Sequence, residues 1–214
     1  MYADLATDAS FLDQFTAIDF EFLRQAIAKG CPLCGGPLHV ANYPRKPRGL
    51  PDGLADAFCS RFSACCGHCR KRCTPWSVRF LGRRVYAGAI VLLATMGVLV
   101  CGAADRTVDR WSVWWTQVLP ATTFWLGLRA RFVPAIPATG LPAGLLERFE
   151  AVVGQQSGKA VTAALVALAP LTSQTCVRTL DEGGALTTPF TQKMRDDYEG
   201  RGLLTRSQAP LPDT

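Results

Sequence analysis

Seven of the nine cysteines of this chain fall between Cys31 and Cys73, and their spacing constrains the fold more than any other feature. The stretch opens Cys31-Pro-Leu-Cys34-Gly-Gly and closes Cys65-Cys66-Gly-His68-Cys69-Arg-Lys-Arg-Cys73. It contains two C-x-x-C pairs, Cys31/Cys34 and Cys66/Cys69. Two residues between thiolates let one tight turn present both sulfurs to one tetrahedral metal, and glycines beside each pair permit the backbone such a turn needs. The competing reading is a redox dithiol, which would call for a C-x-x-C near a βαβ pattern that this chain lacks. The expectation is a structural Zn2+ held by Cys31, Cys34, Cys66 and Cys69 in a zinc ribbon. Cys59, Cys65, His68 and Cys73 are available as substitute ligands, His68 being the best of them, and a second metal is the weaker alternative. The spacer from Gly35 to Cys65 is long for a compact ribbon and predicts an inserted loop.

The acidic N-terminus has no positively charged leader, and the cysteine total is odd. Both features argue against a complete disulfide framework and for a reducing, cytoplasmic setting.

The formal charge is +6, but its distribution says more. From Arg45 to Arg84 there are ten Lys/Arg against two acids, Asp52 and Asp56, whereas the first thirty residues carry five acids and two bases. A basic block centred on a metal knuckle suggests a polyanion partner, most simply double-stranded DNA. An ordinary solvated surface is the alternative. Arg70, Lys71 and Arg72 follow the second pair directly. In Pro44-Arg45-Lys46-Pro47-Arg48-Gly49 the prolines forbid a helix and favour an open, extended backbone. Such an arm could lay Arg45, Lys46 and Arg48 along phosphates, or it could be a mobile loop with no partner.

Around this block the chain reads as helical. Phe11, Phe15, Ile18, Phe22 and Ile27 fall near helical spacing, predicting a helix over 11–28 capped by Ser10 and ended at Lys29-Gly30. Cys73 to Phe80 reads as a strand leaving the ribbon. Ala87 to Ala104 is an uncharged run of 18 residues, long enough to be a membrane candidate. Its glycines and its continuation favour a buried helical pair instead. A third helix is expected over 122–132. Pro134, Pro137 and Pro142 form a stiff connector, helices follow at 145–153 and 159–171, and loop or disorder is expected after about Arg195.

The continuation carries a helix-turn-helix pattern. Val98 is followed four residues later by a turn glycine, Gly102, and Thr107 follows by five. The first helix would span 85–101, broken near Gly97, and the second 105–117. Val108, Trp111, Trp115 and Val118 would share an inward face. Arg106, Arg110, Trp114 and Gln117 would share an outward one, beside Thr107, able to reach base edges or phosphates in a major groove. Asp109 on that helix would repel phosphate. The alternative is an amphipathic core helix with solvated arginines.

The C-P-x-C-G knuckle, the second C-x-x-C with its Arg-Lys-Arg, and the helix-turn-helix together resemble the DNA-binding front end of bacterial insertion-sequence transposases. The resemblance covers residues 31–117. It implies a zinc ribbon paired with helical DNA-binding units, and a transposase or other mobile-element protein as a partner. It stops short of the nuclease: no α/β fold with three metal-binding carboxylates follows, and no P-loop, GxSxG, HExxH or dinucleotide motif is present. Asp181, Glu182, Asp196, Asp197 and Glu199 stand in polar, loop-like sequence.

The expected fold class is therefore mainly α with a small zinc-ribbon β element and a helix-turn-helix. The expected regions are an N-terminal helix (1–30), the ribbon with its basic insertion (31–82), the helix-turn-helix with a third helix (83–133), a C-terminal helical region (134–195) and a tail (196–214). The expected function is a zinc-stabilised, non-catalytic DNA-binding protein, accessory to a mobile element. The alternatives are a membrane-anchored ribbon protein spanning 87–104, a ribbon that binds protein, and an enzyme using Cys69, His68 or Cys73.

Overall fold

The computed structural model describes residues 2–50, 55–81, 86–98, 102–154 and 156–173. The fold is mainly α, with a small antiparallel β element inserted after the first helix. The acidic residues expected in loop-like sequence beyond position 180, and the tail expected after Arg195, lie outside the described residues.

Helix α1 spans Ala9–Lys29. Its cap is Asp8, whose carboxylate accepts from the Phe11 N–H at 3.1 Å, so the expected Ser10 cap is corrected: Ser10 sits inside the first turn. A carboxylate suits this place because it meets both the unpaired N–H groups and the positive end of the helix dipole. Phe11, Leu12, Phe15, Phe22 and Leu23 form its buried face, and Asp19 is buried in the same stripe. Gly30 ends the helix with φ at +77° and delivers the chain into Cys31.

The β element follows. Strand β1 is Leu38–Val40, β2 Tyr43–Pro44, helix α2 Ala55–Phe58, β3 Ser60–Arg61, β4 Ala64–Cys66 and β5 Arg72–Cys73. One antiparallel sheet has the order β1-β4-β5, and β2 pairs with β3. The register sets Leu38 against Cys66 and Ala64 against Cys73, so that Leu38, Ala64, Cys66 and Cys73 form a small core of their own with Leu23 and Cys31.

The strand expected from Cys73 to Phe80 ends at Cys73. Pro75 has no N–H to give to a ladder. The segment that follows is buried, and its polar groups find partners elsewhere. The Ser77 N–H donates to Thr172 Oγ1 at 2.8 Å and the Val78 N–H to Asp19 Oδ1 at 2.7 Å.

Helix α3 spans Gly88–Thr95 and is buried on every side from Gly88 to Ala94, as a helix without a polar face must be. Its first residue passes so close to residue 78 that a Cβ on Gly88 would lie 2.8 Å from the Val78 carbonyl oxygen. Among the described residues no helix is long and apolar enough to cross a membrane.

Helix α4 spans Asp105–Val113 and continues through a π turn, Trp114–Val118, and a tight 3-10 turn, Leu119–Ala121. Trp111 and Trp115 face inward as expected, but Val118 is 49% exposed and Leu119 is fully buried. The π turn is the cause: its wider winding delays the inward position from 118 to 119. Val98, expected beneath the second helix, is 37% exposed. Helices α3 and α4 do pack on each other. Residues 99–101 of the expected turn lie outside the described residues.

Thr122 caps α5, Thr123–Arg129, by accepting from the Trp125 N–H at 3.1 Å. After the proline connector, α6 (Ala143–Val153) and α7 (Ser157–Leu168) pack against each other. Buried side chains of α1 and of α3 through α7 belong to one contiguous core.

Candidate metal centre and basic surface

Cys31, Cys34, Cys66 and Cys69 bring their sulfurs within 4.8 Å of one another, in the combination the two C-x-x-C pairs predict. Cys31 Sγ lies 3.6 Å from Cys69 Sγ, and Cys34 Sγ lies 3.5 Å from Cys66 Sγ. A tetrahedron of thiolates around zinc, with bonds of about 2.3 Å, has edges of about 3.8 Å. The donor set and its spacing thus fit one metal ion of zinc's size and softness.

The two halves of the site are built alike. In the first, the Gly35 N–H donates to the Cys31 carbonyl at 2.8 Å and the Cys31 N–H to the Gly36 carbonyl at 2.9 Å. In the second, the Arg70 N–H donates to the Cys66 carbonyl at 3.1 Å and the Cys66 N–H to the Lys71 carbonyl at 3.0 Å. Each knuckle needs a left-handed residue just after its second cysteine, and Gly35 (φ +69°) and Arg70 (φ +59°) supply it. The Gly67 N–H joins the halves by donating to the Pro37 carbonyl at 2.9 Å.

The thiols do not titrate alike. Burial opposes the Cys66 thiolate, but N–H groups of Cys69 and His68 outweigh it and bring the thiol down to about 6. Cys69 is pushed up to about 12: the Lys71 N–H favours its thiolate, yet burial and the neighbouring sulfurs Cys34, Cys31 and Cys66 prevail. Four sulfurs this close cannot all ionise without a cation among them.

The other candidate ligands stand apart from this group. His68 packs over the first knuckle, where a Cβ on Gly36 would come 2.6 Å from its Nδ1. Cys65 points its thiol at the Arg70 carbonyl, 3.6 Å away. Cys59 is exposed. Cys73 is buried in the small ribbon core, and that burial raises its thiol pKa.

The basic block divides into cations that work inside the fold and cations that do not. Arg61 and Arg79, counted from sequence as part of the charged surface, are 1% and 0% exposed. Arg79 Nε donates to Asp19 Oδ2 at 2.9 Å, and its guanidinium lies 4.0 Å from the Phe62 ring centroid. Arg61 donates to the Pro75 carbonyl at 2.5 Å; burial lowers its pKa, with the Asp19 charge acting the other way. Arg72 is exposed but engaged within the ribbon, donating to the Ser63 hydroxyl at 2.6 Å and to the Ala41 carbonyl. Lys46, Arg48, Arg70 and Lys71 are exposed.

The arm expected to be open is pinned at both ends. Tyr43 and Pro44 pair with Arg61 and Ser60, and the Arg45 N–H donates to the Cys59 carbonyl at 2.6 Å. Arg45 itself lies over Phe80, 5.1 Å from the ring centroid. Arg48 bridges to Tyr86, whose ring meets Trp111 of α4 edge-on at 4.9 Å. The arm therefore runs from the ribbon to α4 with Lys46 and Arg48 outward. On α4, Arg106, Arg110 and Gln117 are exposed, as is Asp109. Arg110 donates to Thr107 Oγ1 at 3.4 Å. Trp114 is half-buried against Trp115, 4.8 Å between centroids, and packs on the core.

Sequence reasoning missed Asp19 as the clamp for residues 77–79. The signal was a lone acid inside an otherwise apolar helix stripe. No protein-family model matches the chain, and no curated protein or solved structure is similar to it.

Proposed function

We propose that the chain is a zinc-stapled, non-catalytic protein that binds double-stranded DNA in the cytoplasm. The ribbon's own core is small, and half of its six buried members are cysteines. So little apolar surface cannot hold three short strands alone, and a bound Zn2+ supplies the missing cross-link between the knuckles. The ribbon then presents Arg70 and Lys71, and the arm presents Lys46 and Arg48, to phosphates. On the first turns of α4 the exposed Arg106 and Arg110, with the half-buried Thr107 between them, supply whatever base preference exists, as the second helix of a helix-turn-helix would.

One observation carries this reading. The side chains of Lys46, Arg48, Arg70, Lys71 and Arg106 make no ion pair or hydrogen bond among the described residues, Asp105 and Asp109 on the same helix as Arg106 included. Cations left unpaired on a metal knuckle, on a pinned arm and at a helix start suit an extended polyanion. A role beside a transposase or other mobile-element protein follows from the resemblance of residues 31–117 and is part of the same proposal.

The test is fluorescence anisotropy with a random-sequence duplex, comparing the wild type with the charge reversal Lys46→Glu/Arg48→Glu. The reversal is expected to weaken binding on the order of a hundredfold at moderate salt. Equal affinity for the two proteins would remove the arm from the contact surface.

A further inference from the structure

The two knuckles repeat the same hydrogen bonds, yet they differ at the residue that must be left-handed. The first has glycine there, Gly35 at φ +69°. The second has Arg70 at φ +59°, the non-glycine residue with positive φ among the described residues. An L side chain in this region crowds its own backbone, and glycine does not. The backbone bonds of Arg70 give no reason for a side chain: its N–H donates to Cys66 and its carbonyl accepts from the Cys65 thiol, and a glycine would keep both. The side chain gives no structural reason either. It is exposed and makes no hydrogen bond, ion pair or ring contact among the described residues.

We infer that Arg70 is a phosphate-contacting residue, held in a strained backbone position so that the metal knuckle aims its guanidinium at a DNA phosphodiester. This deepens the DNA-binding reading above and rests on it. The placement is rigid because Arg70 adjoins Cys69, whose sulfur belongs to the metal group, and precedes Lys71, whose carbonyl closes the knuckle on Cys66. A backbone fixed in this way sets where the side chain leaves the knuckle, and the guanidinium's forked donors match two phosphate oxygens. The Lys71 side chain beside it is exposed, makes no hydrogen bond or ion pair among the described residues, and adds a second charge.

Two variants separate strain from contact. Arg70→Gly relieves the backbone and removes the guanidinium; Arg70→Lys keeps the strain and the charge. Zinc content, thermal midpoint and the salt dependence of binding to a short random-sequence duplex are measured for each. Arg70→Gly is expected to retain zinc, to melt about 2 °C higher than the wild type, and to bind about tenfold more weakly, with a salt slope shallower by about one. Arg70→Lys is expected to keep the wild-type slope. A glycine variant that binds DNA with wild-type affinity and slope overturns the inference while leaving the DNA-binding reading intact. A lysine variant that loses the slope also overturns it. A wild type that binds no DNA overturns both.

Discussion

Asp19 of α1 and Arg79 meet at 2.9 Å with both side chains fully buried, sixty residues apart in the chain. The same carboxylate accepts from the Ser77 hydroxyl at 2.5 Å and the Val78 N–H at 2.7 Å. One acid on the first helix therefore fixes the segment that carries the chain from the ribbon into α3. Replacing it by asparagine strands a buried guanidinium, and a loss of about 3–5 kcal/mol in urea unfolding is expected. The paired replacement Asp19→Leu/Arg79→Met removes both charges and should recover only part of that loss, the Val78 N–H and Ser77 hydroxyl still lacking their acceptor. A single variant as stable as the wild type would show that the clamp does not hold the segment.

That clamp also marks where the sequence stops being readable. The C-x-x-C pairs could be read because a two-residue spacer has few geometries and four thiols at that spacing suit one metal ion. The helices expected at 145–153 and 159–171 stand at Ala143–Val153 and Ser157–Leu168. Asp19 could not, because an acid between apolar positions looks like the solvent side of a helix until its partner is known. Arg61 and Arg79 were counted with the charged surface for the same reason: composition records a charge but not its burial. The shift of the inward position from Val118 to Leu119 depends on a π turn, which no periodicity announces. The fate of Ser10 turned on Asp8, a cap two residues earlier whose charge also meets the helix dipole.

The ligand set has a direct test by substitution. Cys34→Ser and Cys66→Ser should each lose the metal and lower the thermal midpoint, whereas Cys59→Ser and Cys65→Ser should keep one zinc per chain. Zinc measured by mass spectrometry on the purified variants decides it. Retained zinc in the Cys34 and Cys66 variants, or lost zinc in the Cys65 variant, would shift the site.

Metal affinity should depend on pH in a definite direction. Ligation needs four thiolates, and Cys69 keeps its proton up to about 12, so uptake at neutral pH expels that proton. Cys66 is already a thiolate above about 6 and must be stripped of a proton below it. Affinity should therefore fall as pH falls, and more steeply below about pH 6. Competition with a chromogenic chelator across pH 5 to about 8 reads this out. An affinity flat across that range would contradict thiolate ligation.

The packing of His68 on the first knuckle yields a stability test. A methyl group at Gly36 would lie 2.6 Å from His68 Nδ1 and 2.8 Å from its Cγ, so the whole ring must move. Gly36→Ala should cost about 1–3 kcal/mol, and adding His68→Ala should restore most of it without loss of zinc. No effect from the single change would place the imidazole elsewhere.

The central claim joins the metal to the charge, and one titration addresses both. Affinity for a random-sequence duplex is measured against salt for the zinc-loaded protein and for the same sample after chelation. With zinc at one per chain, affinity should fall steeply and linearly in log salt, and chelation should abolish the steep component by releasing the ribbon. Zinc-loaded protein that ignores DNA, or binding that is indifferent to salt and to chelation, would contradict it.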